Sequence, residues 1–149
     1  MGLKARKTNM FLDIQQYVYQ SLKANKELSK DLQIFSQIPK DTPFPYLYLG
    51  KFIVINRSLK ELIKMYFVNE IHLYSQDHST EEILNWVSEI KNTLQLRNIS
   101  LGKCHINEIE FLQMNLDIMS DAKTHRVIGK FRIIVEENYG STKRIFDAA

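Results

Sequence analysis

Four histidines, one cysteine and 17 acidic side chains are the groups through which this chain could do chemistry, and they are thinly spread. The densest group is His72, Asp77 and His78. A metal-dependent enzyme built there would need three or four ligands converging with supported orientation, and no HExxH, CxxC or paired-histidine spacing supplies them. The favoured reading places His72 on the polar face of a strand and makes Asp77-His78 a solvated loop ahead of a helix cap. His105 and His125 sit near the two ends of a pair of long strands, where only a shifted register would let them meet. Both are expected on the wet face.

A nucleophile is no better served. Cys104 would need a helix N-terminus or a neighbouring base to activate its thiol, and it opens a strand instead. It has no partner for an intrachain disulfide or a zinc pair, so it reads as a small buried side chain in a reducing compartment. With five glycines in all, the chain has no GxSxG elbow, phosphate-cradling loop or dinucleotide fingerprint. The expectation is a protein with no catalytic residue, metal or cofactor. Lys4, Arg6 and Lys7 could touch phosphate, and Phe44, Tyr46 and Tyr48 could stack on bases, which makes a small nucleic-acid-binding module the alternative. Residues alternating along a strand are more often core or interface, however, and a short basic terminus is usually just solvated.

The 149 residues, 44% hydrophobic and 25% charged, suit a single domain with one core. Its folded body is expected over about residues 10–137, between a flexible basic leader and a C-terminal tail, 138–149, with too little apolar content to be held firmly. The net charge is +3, and residues 1–40 alone carry seven Lys/Arg against three acids. The basic excess therefore sits in the leading segment, whereas a nucleic-acid binder usually builds it into the folded body. No apolar run approaches the roughly eighteen to twenty residues of a membrane span, and the basic start leads into an amphipathic segment, so neither membrane insertion nor secretion is expected.

Spacing then predicts the elements that must position these groups. Phe11, Ile14, Tyr17, Val18 and Leu22 form one stripe along a helix over residues 10–22. Ala24-Asn25-Lys26 ends it, and a short turn over 27–32 precedes a brief strand at 33–37. Three prolines mark the loop 39–45. Residues 46–56 read as a strand with Tyr48, Phe52 and Val54 on one face and Leu47, Leu49, Ile53 and Ile55 on the other; apolar on both, it is predicted to be central. Residues 62–76 alternate as an amphipathic partner strand. Ser79 or Thr80 caps a helix whose stripe is Ile83, Val87, Ile90 and Leu94, widened by Leu84 and Trp86. After a connection over 98–103 come two long arms, 104–119 and 124–137, joined by Ser120-Asp121-Ala122-Lys123. Arms of about fourteen residues reach roughly 45 Å, so part of the hairpin is expected to project or to pair with another chain.

The fold class that follows is α+β, a mixed, largely antiparallel sheet of four to five strands with two helices on one face and a long C-terminal β-hairpin. The sheet's other face must meet solvent or a partner.

This order of elements resembles the tail-completion, or tail-terminator, proteins of long-tailed bacteriophages and gene-transfer particles. The likeness rests on the first helix, 13–24, with Tyr17 and Leu22; on 34–39 followed by Thr42-Pro43-Phe44-Pro45-Tyr46-Leu47; on Ile71-His72-Leu73-Tyr74-Ser75 before the second helix; and on residues 117–127. Two positions depart from the family's pattern. Tyr74 stands where a tryptophan is common and Ala122 where the turn often has glycine. The resemblance covers about residues 11–137. It implies a noncatalytic virion protein that terminates the tail tube and joins it to the head, acting as a ring of six copies. Its partners would be the tail-tube and head-completion proteins, with DNA passing through the ring without specific binding. It would reside in the virion tail, and in the bacterial host's cytoplasm during assembly. The residues expected at a subunit or tail-tube interface are Ser75, Gln76, Asp77 and His78 in one loop and Ser120, Asp121, Ala122, Lys123 and Thr124 in the hairpin turn.

Overall fold

The computed structural model describes residues 9–137. The basic leader with Lys4, Arg6 and Lys7, and the tail 138–149, lie outside the described residues. The elements run α1 (Met10–Ala24), α2 (Lys26–Ser29), β1 (Gln33–Phe35), β2 (Tyr46–Asn56), β3 (Lys64–Gln76), α3 (Thr80–Leu94), β4 (Arg97–Ser100), β5 (Cys104–Ile118) and β6 (Thr124–Glu137).

Side chains near the chain's polar breaks end and start the helices. Asn9 Oδ1 accepts from the Leu12 amide at 3.2 Å and caps α1. Asn25 closes α1, its own Oδ1 accepts from Leu28 N at 3.1 Å to cap α2, and its Nδ2 donates to Thr93 Oγ1 of α3 at 2.6 Å. One amide therefore ties three helix segments together. Ser79 and Glu82 form a reciprocal capping box at the start of α3. The stripe buried by α1 is narrower than its spacing suggests: Ile14, Val18 and Leu22 are enclosed, whereas Phe11 is half exposed with its ring 5.8 Å from that of Phe67.

The strands form one six-stranded sheet in the order β1-β2-β3-β6-β5-β4, so the expected four to five strands are corrected to six and the two helices to three. The missed strand is β4, whose Arg97-Asn98-Ile99-Ser100 carries a single apolar residue and pairs antiparallel with His105–Glu108. The helices pack on one face, where Phe67, Ile71 and Leu73 of β3 and Val127, Phe131, Ile133 and Val135 of β6 meet Ile14, Val18, Leu22, Ile83, Trp86, Ile90 and Leu94. Burying each of the large members contributes about 1.5–3 kcal/mol.

Two expectations about strands are overturned. First, β2 is not central. β1 pairs only with Tyr46–Tyr48, and Ile53, Val54 and Ile55 remain about two-fifths exposed. A bulge between Leu49 and Phe52 also shifts its register against β3, so Phe52 and Val54 fall on the face of Leu47 and Leu49 rather than opposite it. Second, of the two alternatives for the hairpin, projection is overturned, because it does not stand away from the sheet. β6 is paired with β3 along its length, from Lys64↔Glu136 to Gln76↔Thr124, and among the described residues no strand pairs with the outer side of distal β5.

Two glycines in these strands play different parts. A Cβ on Gly50, inside the bulge of β2, would overlap the imidazole of His72. A Cβ on Gly129 would meet Phe131 at an ordinary 3.7 Å. Gly50→Ala is therefore expected to lose about 1–2 kcal/mol in urea unfolding as His72 is displaced from its neighbours, and Gly129→Ala to be neutral or up to about 1 kcal/mol more stable. Equal effects of the two substitutions would contradict this packing.

Candidate assembly surface

The two segments singled out in the sequence come together at one end of the sheet. Gln76, the last residue of β3, is in register with Thr124, the first of β6, and its Nε2 donates to Thr124 Oγ1 at 2.8 Å. The turn itself is organised by Asp121. Its Oδ1 accepts from the amides of Lys123 at 2.9 Å and Thr124 at 2.8 Å, and its Oδ2 accepts from Thr124 Oγ1 at 2.6 Å. The Thr124 hydroxyl, then the Thr124 and Lys123 amides, pull the carboxyl from its ordinary 3.8 down to about 2. Ala122, at φ 60°, takes the left-handed conformation that glycine would enter more easily. Ser120, Asp121, Ala122 and Lys123 are exposed, while Thr124 is buried.

The second loop is less solvated than expected. Asp77 is exposed at φ 62°, yet His78 is half-buried, its ring 4.9 Å edge-on to Trp86 and its Nδ1 2.7 Å from the hydroxyl of the buried Ser75. His72 lies on the opposite, uncovered face, its Nε2 3.0 Å from Glu70 Oε1 and its ring stacked 4.9 Å from Tyr48. His72 and His78 thus engage different neighbours on different faces and do not converge. Among the described residues no three His, Cys, Asp or Glu side chains are grouped to hold a metal ion. His105 is in register with Glu136 and His125 with Ile118, at opposite ends of the hairpin. Cys104 is buried; that burial, followed by the Asp13 and Glu137 carboxylates, pushes its thiol up and away from a reactive thiolate.

On the face of the sheet away from the helices, Phe44, Tyr46 and Tyr48, grouped in the sequence, are joined by Tyr74, which spacing did not place with them. Phe44 stacks on Tyr46 at 5.4 Å, Tyr46 meets Tyr74 at 5.5 Å, and Tyr74 stacks on Tyr48 at 6.1 Å. Burial, then a hydrogen bond that its hydroxyl donates to Tyr74, raises the Tyr48 phenol. Beyond them the charges alternate in sign across strands: Glu70 with Lys130 at 3.9 Å, Glu110 with Arg132, and Asp117 with Arg126 at 3.0 Å. Tyr74 joins the cluster only because β2 and β3 pair in this register, which no local motif announces.

Comparison with known proteins gives this geometry a context. The model of the family described as tail completion protein gp17 matches residues 16–136. The fold is similar to that of a chain in the virion of a native gene transfer agent particle, with TM-score 0.75 and 19% identity over 87% of this chain and 99% of that one. It is also similar to the bacteriophage SPP1 gp17 protein, with TM-score 0.55 and 17% identity over 87% of this chain and 95% of that one. At these identities the solved structures establish a shared fold. No curated protein matches the sequence.

Two outcomes follow for the turn. Asp121 is depressed in the folded state, so its contribution is complete above about pH 4 and is lost as pH falls through about 2. The stability gap between the natural chain and Asp121→Ala, read by urea unfolding, should hold from pH 7 to 5, narrow below about pH 4 and close below about pH 2. A gap independent of pH would show that the carboxylate is not what orders the turn. Ala122→Gly should stabilise by about 0.5–1 kcal/mol, the left-handed penalty of alanine exceeding the entropy that glycine adds to the unfolded chain.

Proposed function

This chain belongs to the tail completion protein gp17 family, and on that premise we propose that it is a structural virion protein, of a phage, prophage or gene-transfer particle, that terminates the tail tube and joins it to the head as a six-membered ring. The observation that carries this reading is the family match over residues 16–136, almost the whole of the described body. The protein acts by occupying a position between partners, the tail-tube protein on one side and a head-completion protein on the other, and turns over no substrate. It works in the virion tail after assembling in the host cytoplasm.

Physical features support the reading. A ring is a closed heterologous assembly, in which one patch of each subunit meets a different patch of the next. A sheet that, among the described residues, is covered on one face and unpaired along parts of both edges offers such patches. The corner formed by Ser75–His78 and Ser120–Thr124 is tied together by hydrogen bonds at one end of the sheet, suited to seat against the tail tube. On the open face Glu70 pairs with Lys130, Glu110 with Arg132 and Asp117 with Arg126, so three of its cations are held by carboxylates rather than left free for phosphate, which suits a lumen through which DNA slides.

The test is complementation. Particles made without this gene product should show headless tails of irregular length, and the purified full-length chain added to such lysates should restore joining and appear as a ring at the tail end in negative stain. Heads and tails joining equally well without it would overturn the function.

A further inference from the structure

The two outermost strands are each shorter than the strand they border, and they cover opposite ends of it. β1 flanks Tyr46–Tyr48, so among the described residues no strand lies outside Phe52–Asn56 of β2. β4 flanks His105–Glu108, with the Ile109 amide donating to Leu96 O, so none lies outside Leu112–Ile118 of β5. The registers place these gaps at opposite ends. Tyr46 is level with Tyr74, Arg126 and Asp117, whereas Asn56 is level with Met65, Val135 and Ile106. Each edge is therefore a step one strand wide, about 4.8 Å, and the two steps have complementary profiles.

We propose that neighbouring subunits join edge to edge into one continuous sheet. β4 of one copy enters the gap beside Phe52–Asn56 of the next, and β1 of that next copy enters the gap beside Leu112–Ile118 of the first. This rests on the ring reading above and names the contact that builds the ring. Strand directions permit it: with copies in the same orientation, β1 meets β5 antiparallel and β4 meets β2 parallel.

The side chains at the gaps favour this occupant. Edge strands that stay monomeric are normally guarded by charge or proline. Residues 52–56 carry no charge and 112–118 only Asp117, while Ile55 is 38%, Leu112 42% and Ile118 60% exposed. The stretch 50–64 has four Lys/Arg against one acid, and 112–123 two acids against one lysine, so the two edges also differ in sign. A two-fold pairing of like edges would seal one edge and leave the other bare. The head-to-tail contact seals both, and a repeated rotation at each step closes it.

Ile55 and Arg97 are level across the proposed contact and both are exposed, so each tolerates replacement. Full-length Ile55→Cys and Arg97→Cys chains, with buried Cys104 unchanged, are treated with a short bis-maleimide linker at high concentration, alone and on tail tubes lacking this protein. A one-to-one mixture is expected to give a linked dimer that neither chain gives alone, and the double variant a ladder of multimers. Homodimers of Arg97→Cys alone, stopping at two, would overturn the inference in favour of like-edge pairing. Assembly by light scattering or on tubes with no linking in the mixture would overturn it while leaving the ring standing. A chain that stays monomeric even with tubes would overturn the ring reading and this inference with it.

Discussion

The unshifted register between β3 and β6 is the constraint on which the rest of the molecule depends. From Lys64↔Glu136 to Gln76↔Thr124 the two strands pair residue for residue. Because side chains alternate with period two, this ladder assigns Phe67, Ile71 and Leu73, with Val127, Phe131 and Ile133, to the helix-covered face. A slip of one residue would turn that whole set toward water. The flanking strands adapt to the ladder instead. β2 absorbs one extra residue between Leu49 and Phe52, and β5 one near Asn107 and another near Leu112. Each bulge restores apolar residues to the covered face at the cost of a local break in pairing. At the β2 bulge Asn69, buried among apolar neighbours, donates to Lys51 O at 3.3 Å and thereby satisfies one of the carbonyls that the break would strand.

This division explains what could be read from the residues alone. β3 and β6 alternate strictly, so their existence and their inner faces were legible from period two. β5 was legible as a long arm but not as a bulged one. Its inward residues Ile106, Ile109, Phe111, Met114 and Leu116 show intervals of three at the two bulges, which simple alternation does not contain. The faces of β2 were misassigned for the same reason, with Gly50 the residue that marks the bulge. β4 escaped notice because a four-residue strand with Ile99 as its only apolar member has no period to detect, and Asn98 at φ 56° interrupts it further. The site was legible in part. Asp121 and Thr124 are ordinary turn chemistry, and the Ser79–Glu82 capping box is a local pattern. The stacking of Tyr74 on Tyr48 and the seating of His78 on Trp86 are products of tertiary pairing and had no local signature.

The polar groups that invite a chemical reading are used to hold geometry. Asp121 has the kind of depressed carboxyl that can mark a functional site, but its causes are two backbone amides and a hydroxyl within three residues, on an exposed turn. Ser75 and His78 are in hydrogen-bond contact, yet the pair lies against Trp86 beneath the loop rather than facing a cleft. Asn25 joins three helix segments. In each case the donor or acceptor is consumed in fixing where two elements meet.

What the fold leaves open is then unequal in kind. On the uncovered face the cross-strand ion pairs and the stacked tyrosines satisfy one another, and exposed pairs of this sort contribute only about 0.2–1 kcal/mol each, so leaving them in water costs little. The edges are different. Backbone amides and carbonyls beside Ile53–Ile55 and Leu112–Ile118 are flanked by apolar side chains, a combination that water satisfies while the apolar surface remains unburied. A second strand satisfies the backbone and buries the side chains together. The surface that would gain most from a second strand is therefore at the edges, and the face, where three ion pairs already join neighbouring strands, would gain less.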